Sequence, residues 1–246
     1  MLGCWQMPKY FFMPTTANPS TITLEGEVAH HLIRVLRANV GDRLVLCDGN
    51  NTDYLTQVAE ITKTQLSCHV LSTQPSGTEP RTKVTIFQAM PKSDKLELII
   101  QKSVELGAAA IVPVITSRTV MRKWDDKKTS RYQKIAEAAA GQSMRGTIPI
   151  VHTGMFFKEM LTNVANCYPT LVAYEQETAQ TLASAVQTLA STSVNIFIGP
   201  EGGLAPEEVE ALKEIGATTV SLGPRILRTE TAAIAMLAQL MCLLET

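Results

Sequence analysis

At 246 residues, 45% of them hydrophobic, the chain is long enough to bury one large core or two smaller ones. A net charge of −1 excludes a uniformly basic or acidic protein, and no apolar run approaches the ~20 residues of a membrane span. The N-terminus, MLGCWQMPKYFF, lacks a basic segment followed by a long apolar one, and it lacks a small-residue cleavage site, so the cytoplasm is the expected location. The five cysteines are scattered, with no C-x-x-C or Cys/His cluster. That pattern argues against a metal site or disulfide framework and for small buried hydrophobes.

The charge is unevenly spread. Between Arg81 and Arg145 there are thirteen Lys and Arg against six Asp and Glu, whereas both flanking regions are acidic. A solvated helical face would explain such a run. A basic belt inside a neutral protein is also the footprint of a polyanion-binding surface, and that reading is preferred.

In chain order, Ile22-Thr23-Leu24 reads as a short strand, and Glu27 to Arg37 carries a helical pattern that closes before Gly41. His30 and Arg34 stand at i and i+4, with Arg37 three residues on, so one helix face carries all three. The stretch from Asp42 to Ser72 reads as three strands, with turns at Asp48-Gly49-Asn50-Asn51 and at Thr62-Lys63. This meander suits a small β-barrel. Gln74 to Thr82 is rich in Pro, Gly and Ser, and makes a domain boundary: residues 1–75 form the first domain, 76–82 the linker and 83–246 the second domain.

Beyond the linker, strands and helices alternate, which predicts a parallel α/β sheet. Val84 to Met90 is a strand, Ser93 caps a helix through Leu106, and Ala109 to Ile115 is the next strand. Arg131 to Ser143 is helical. Thr170 to Tyr174, Val194 to Ile198 and Thr218 to Leu222 supply later strands. The last two end in glycine-bearing breaks, Gly199-Pro200-Glu201-Gly202-Gly203 and Gly223-Pro224-Arg225. Pro206 suits a first helical turn, with Glu207 and Glu208 at the positive end of the helix dipole. Thr229 reads as the N-cap of a long apolar helix.

Two glycine loops at strand ends are where an open α/β sheet binds ligands. They carry no phosphate-binding motif, and Glu201 would repel an anion. Backbone groups exposed by the glycines could instead hold a neutral or cationic ligand, such as an adenosine bearing a sulfonium.

The pair "IGPEGGLAPEEVE" and "VSLGPRILRTETAAIAML" resembles the two C-terminal motifs of the SPOUT methyltransferases, and within them the RsmE family, the ribosomal RNA small-subunit methyltransferases E. The likeness extends to "HHLIRVLRANVGD", "PKSDKLELIIQKSVELG" and "IAEAAAGQSMRGTIPIV", covering nearly the whole chain. It implies a PUA-like RNA-binding barrel followed by a SPOUT α/β domain with a trefoil knot, a homodimer, and Met1 to Gln6 as an upstream extension. It also implies S-adenosylmethionine as cofactor and methylation of N3 of a uridine in 16S rRNA of the small ribosomal subunit. By the same resemblance, Ile198, Gly199, Gly203, Leu222, Gly223, Leu227 and Thr229 surround the cofactor.

N3 carries a weakly acidic proton, so the site needs a base, a cation that stabilises the uracil anion, or both. Arg228 with Glu230 is a suitable pair, Glu201 is a further carboxylate, and an Arg228–Glu230 ion pair that merely fixes the loop explains the same residues. Arg34, Arg37, Lys92, Lys95, Arg118, Arg122 and Arg145 are the candidates for RNA contacts. Three departures from the family pattern stand out: Gly141 in place of an acidic residue, Ser93 in place of a glycine, and Arg118-Thr119-Val120-Met121 in place of a "RSVV"-like run. Methylation of another RNA atom such as a ribose 2′-oxygen, and a non-catalytic RNA-binding or ribosome-assembly role, are the alternative readings.

Overall fold

From Arg43 to Leu66, apolar and β-branched residues are broken by turn residues at Asp48-Gly49-Asn50-Asn51 and Thr62-Lys63, and this stretch folds into antiparallel strands. In the computed structural model, which describes residues 9–14, 19–120, 124–165 and 167–245, two compact units form. The first takes the chain up to Glu79 together with Ala140–Ile148, and the second takes Pro80–Ala139 and the chain from Pro149 onward. Met1 to Gln6 and Arg122 lie outside the described residues.

The first unit holds β1 (Lys9–Phe11), β2 (Thr21–Leu24), α1 (Gly26–His30), β3 (Arg43–Cys47), β4 (Thr52–Ile61) and β5 (Leu66–Pro75). Its sheet has the order β1-β3-β4-β5-β2, antiparallel except for the parallel β1–β3 pair. Both predicted turns form. Asp48 Oδ1 accepts from the amides of Asn50 (2.8 Å) and Thr52 (3.1 Å), and the Thr62 amide donates to the Gln65 carbonyl at 2.9 Å. Ile22, Leu24, Leu32, Leu46, Val58 and Leu66 meet in one core, to which Tyr10 of β1 adds its ring.

The helix expected from Glu27 to Arg37 is shorter and changes pitch. After His30 the chain makes a π-helical turn, His31–Val35, in which the Leu36 amide reaches back to the His31 carbonyl. The wider turn breaks the i, i+4 alignment expected for His30 and Arg34. Arg37 falls beyond the helix, exposed and at φ 53°.

Residues 140–148, which the sequence pattern assigns to the second domain, pack with the first unit instead. The Glu79 carboxylate holds them there. It accepts from Arg145 Nε (3.2 Å) and Nη2 (2.5 Å), from the amides of Gly146 (2.9 Å) and Thr147 (3.2 Å), and from the Thr147 hydroxyl (2.7 Å). Burial pushes this carboxyl up, but the Arg145 and Thr147 hydrogen bonds outweigh it and leave the pKa below the ordinary value.

The second unit is a parallel sheet of β6 (Lys83–Ala89), β7 (Ala110–Ile115), β8 (Ile150–Val151), β9 (Met155–Phe156), β10 (Thr170–Ala173), β11 (Ser193–Ile198) and β12 (Thr218–Val220). The order is β12-β10-β11-β6-β7-β8, with β9 also on β7. The helices are α2 (Lys95–Glu105), α3 (Asp126–Gln142, whose residues 140–142 count with the first unit), α4 (Phe157–Val164), α5 (Leu182–Val186), α6 (Pro206–Glu214) and α7 (Thr229–Leu244). Strands β7 and β11 are buried on both faces; β7 is a continuous apolar run, while β11 also buries Asn195, whose Nδ2 donates to the Thr170 hydroxyl at 3.3 Å. Phe87, Val114, Val172, Phe197 and Leu212 form the centre of the core.

Several local expectations are corrected. Ser93 does not cap α2: it sits at φ 58°, the left-handed conformation that a glycine takes without steric cost, and Asp94 holds the cap position. The N-cap of α7 is Arg228, so Thr229 is the first residue inside the helix. Helix α3 begins at Asp126, five residues before Arg131. Cys47 and Cys68 are buried but Cys167 and Cys242 are exposed, so burial accounts for only half of the described cysteines. No helix among the described residues is long and apolar enough to cross a membrane.

Candidate active site

The carboxyl ends of β10, β11 and β12 lie side by side, because β10 pairs with both β11 and β12 in parallel register. Their following loops therefore converge. Together they line a cavity of about 1040 Å³. The loop after β11 contributes Ile198 to Leu204, and the loop after β12 contributes Ser221 to Arg228, followed by Thr229 and Ala232 of α7. Every residue proposed from sequence to surround a cofactor lines this cavity: Ile198, Gly199, Gly203, Leu222, Gly223, Leu227 and Thr229.

Thr229 ties the two glycine loops together. Its hydroxyl donates to the Gly199 carbonyl at 2.7 Å and accepts from the buried Gln88 Nε2 at 2.9 Å. A residue read from sequence as a helix cap thus anchors the first loop to the start of α7. Gly203, at φ 67°, takes a backbone shape that suits glycine, and a Cβ there would lie 2.5 Å from Glu175 Oε1. At Gly223 (φ 111°) a Cβ would meet no atom within 4 Å, so its backbone faces open space where a ligand could approach closely.

A third wall comes from the loop after β10, which sequence reasoning did not connect with the site. Tyr174, Glu175, Glu177 and Thr178 line the cavity. Glu177 accepts from the Thr219 hydroxyl (2.7 Å) and from the amides of Ala179 (2.9 Å) and Gln180 (3.1 Å), which together pull its pKa down to about 2. The available signal was the end of the third predicted strand, Thr170 to Tyr174, directly before Glu175-Gln176-Glu177.

The charged groups pair differently from the expectation. Glu230 contacts Lys95 Nζ at 3.1 Å rather than forming an ion pair with Arg228, whose charge reaches it only at longer range. Lys95 Nζ also lies 3.4 Å from Glu201 Oε1, which accepts the Lys92 amide at 2.9 Å. For Glu201 and Glu230 alike, burial raises the carboxyl pKa, but backbone hydrogen bonds and Lys95 overcome it, so both sit below the ordinary value. Lys95, a candidate phosphate contact by sequence, lines the cavity.

Of the remaining RNA candidates, Lys92 and Arg118 both meet the first glycine loop, through the Lys92 amide to Glu201 and Arg118 Nη1 to the Gly202 carbonyl, whereas Arg34 and Arg37 belong to the first unit. Arg34, Arg37 and Lys92 are exposed. Arg118 is exposed but donates Nη1 to the Gly202 carbonyl at 2.9 Å, which braces the first glycine loop. Arg145, 5% exposed, is committed to Glu79, so a buried structural clamp replaces the expected phosphate contact. Among the described residues, no group of three or more His, Cys, Asp or Glu is arranged to hold a metal ion.

Residues 78–241 match the family of RNA methyltransferase domains, and residues 24–71 match the RNA methyltransferase PUA domain. A PUA-type first domain and a parallel α/β domain with loops at its strand ends thus define the class as an RNA methyltransferase. Ribosomal RNA small subunit methyltransferase E of Bacillus subtilis is 38% identical over 240 residues, spanning 93% of this chain and 93% of the relative. The enzyme of the same name from Mycobacterium bovis is 34% identical over 232 residues, spanning 91% and 87%. The solved structure of ribosomal RNA small subunit methyltransferase E from Neisseria gonorrhoeae, bound to S-adenosyl methionine, matches with a TM-score of 0.87 at 29% identity, covering 96% of this chain and 98% of that one. The chain belongs to the ribosomal RNA small subunit methyltransferase E family, the family that the two C-terminal motifs resemble.

Proposed function

We infer that the protein transfers a methyl group from S-adenosylmethionine to N3 of a uridine in 16S rRNA of the small ribosomal subunit. The observation that carries this is the convergence of three strand-end loops, two of them glycine-bearing, on one cavity in a chain of this family. The lining fits the cofactor: it offers backbone at Gly199, Gly203 and Gly223, an apolar wall at Ile198, Leu222 and Leu227, and the carboxylates Glu175, Glu177 and Glu201 for a cationic ligand. When bound, the cofactor supplies a methyl group already activated by its sulfonium.

The residues of the chain then bind and orient. Thr229 and Arg118 hold the first glycine loop at the Gly199 and Gly202 carbonyls, and Glu177 holds the third wall. Such fixed geometry is what aligns a nucleophile with its electrophile. N3 lies on the Watson–Crick edge, so the target base must leave its stack before attack. Arg34, Arg37, Lys92, Arg118 and Arg122 are proposed to meet RNA phosphates, with the first domain acting as a PUA-like RNA-binding unit.

The trefoil knot of the SPOUT fold, a homodimer and a cytoplasmic location complete the reading. Leu98 and Leu243, exposed apolar residues on α2 and α7, support self-association. Light scattering on the purified protein tests the dimer, and tracing residues 199–245 in an experimental density map tests the knot.

The decisive experiment transfers labelled methyl from S-adenosylmethionine to small subunits that lack the modification. Nuclease digestion and mass spectrometry then locate the label. Label on N3 of one uridine is the expected result, and label on a ribose or on another base overturns the assignment.

A further inference from the structure

Lys95 opens α2 beside the glycine loops, and its ammonium is fixed from two sides. Glu201 reaches it from the loop after β11 and Glu230 from the first turn of α7, at 3.4 and 3.1 Å. Glu201 is itself held by the Lys92 amide. An ammonium has three donors. Two carboxylates leave it capacity for one more acceptor, and the side chain, still 28% exposed, lines the cavity. Both carboxyls sit below their ordinary pKa, so they are mismatched as bases for an acid as weak as uracil N3–H. The cluster as a whole is anionic, and what it offers a reacting uracil is one oriented ammonium N–H.

We propose that Lys95 is a catalytic residue: its ammonium hydrogen-bonds a carbonyl oxygen flanking N3 and stabilises the uracil anion, while Glu201 and Glu230 position it. This rests on the N3-methylation reading above. The N3–H bond breaks and its proton passes to water. The nitrogen lone pair then bonds the methyl carbon as the carbon–sulfur bond breaks, and that bond's electron pair stays on sulfur.

The test uses the full-length protein, Lys95→Met and Lys95→Arg, with small subunits reconstituted from 16S rRNA carrying uridine or the more acidic 5-fluorouridine. Single-turnover methyl transfer and calorimetric S-adenosylmethionine binding are measured for each. Removing one charge-stabilising donor costs on the order of 100-fold or more, so Lys95→Met is expected to lose about that factor on uridine while its cofactor affinity stays within about threefold. On 5-fluorouridine that loss should shrink at least about tenfold, because a more stable anion needs less help. Lys95→Arg, which keeps the charge, should recover most of the rate and serves alone if Lys95→Met does not fold. Equal losses on both RNAs, a loss explained by weaker cofactor binding, or an Arg variant as slow as the Met variant each overturn the role of Lys95. Wild-type label on an atom other than N3 instead overturns the functional reading itself.

Discussion

Removing either partner of the Glu79–Arg145 clamp should destabilise the first unit, and by unequal amounts. Breaking a buried ion pair from one side costs about 3–5 kcal/mol. The Glu79 carboxylate accepts five hydrogen bonds, two of them from Arg145. Arg145→Ala therefore leaves it with three partners, and about 2–3 kcal/mol is expected. Glu79→Ala leaves a guanidinium that is 5% exposed and strips the partner from two amides, so about 3–5 kcal/mol is expected. Arg145→Lys keeps the charge but not the fork, and should fall between wild type and Arg145→Ala. Urea unfolding followed by circular dichroism measures the losses, and hydrogen exchange at the Gly146 and Thr147 amides localises them. A loss of 3 kcal/mol accelerates exchange on the order of 100-fold. If Arg145→Ala left the unfolding midpoint unchanged and instead lowered the salt slope of RNA binding by about one, the clamp would be refuted and the phosphate contact restored.

Three further outcomes are expected. Thr229→Val strands the Gly199 carbonyl and takes one of two acceptors from the buried Gln88 side-chain amide, and should cost about 1–3 kcal/mol together with weaker S-adenosylmethionine binding, read by denaturation and calorimetry. Glu177 has a folded pKa of about 2 against an ordinary 4.5, so its stabilisation is present above about pH 4.5 and is lost as pH falls toward 2. The gap in melting temperature between wild type and Glu177→Gln should accordingly be constant near neutrality and narrow below pH 4.5, and a gap that widened in acid would contradict the sign. Ser93→Gly relieves a left-handed backbone at φ 58° and should stabilise by about 0.5–1 kcal/mol in thermal unfolding.

What the sequence conveyed was local. Strands β3 to β5, β6, β7 and β10 to β12 follow from apolar runs punctuated by turn residues, within a residue or two at most ends. The two glycine loops were visible for the same reason. Strands β1, β8 and β9, of two or three residues, have too little length to show a period, and β12, equally short, was marked only by the glycine break that follows it. The clamp and the Lys95 cluster join residues about 66 to 135 positions apart, which no spacing rule reaches. Gly141 makes the same point. As a sequence difference it is a lost charge near RNA, but a Cβ there would stand 2.5 Å from the Lys9 carbonyl oxygen, so close backbone packing explains the glycine.

The first unit is discontinuous in sequence, and this sets a timetable for its birth. Its sheet is complete once Pro75 has emerged from the ribosome, yet Glu79 must wait for Arg145. At about 5–20 residues per second that wait lasts several seconds. Throughout it, β6 and β7 of the second unit's sheet are already being made. Vectorial synthesis thus cannot finish one unit before starting the next, and a nascent chain halted between residues 80 and 139 should be open to protease at segments that the finished protein protects.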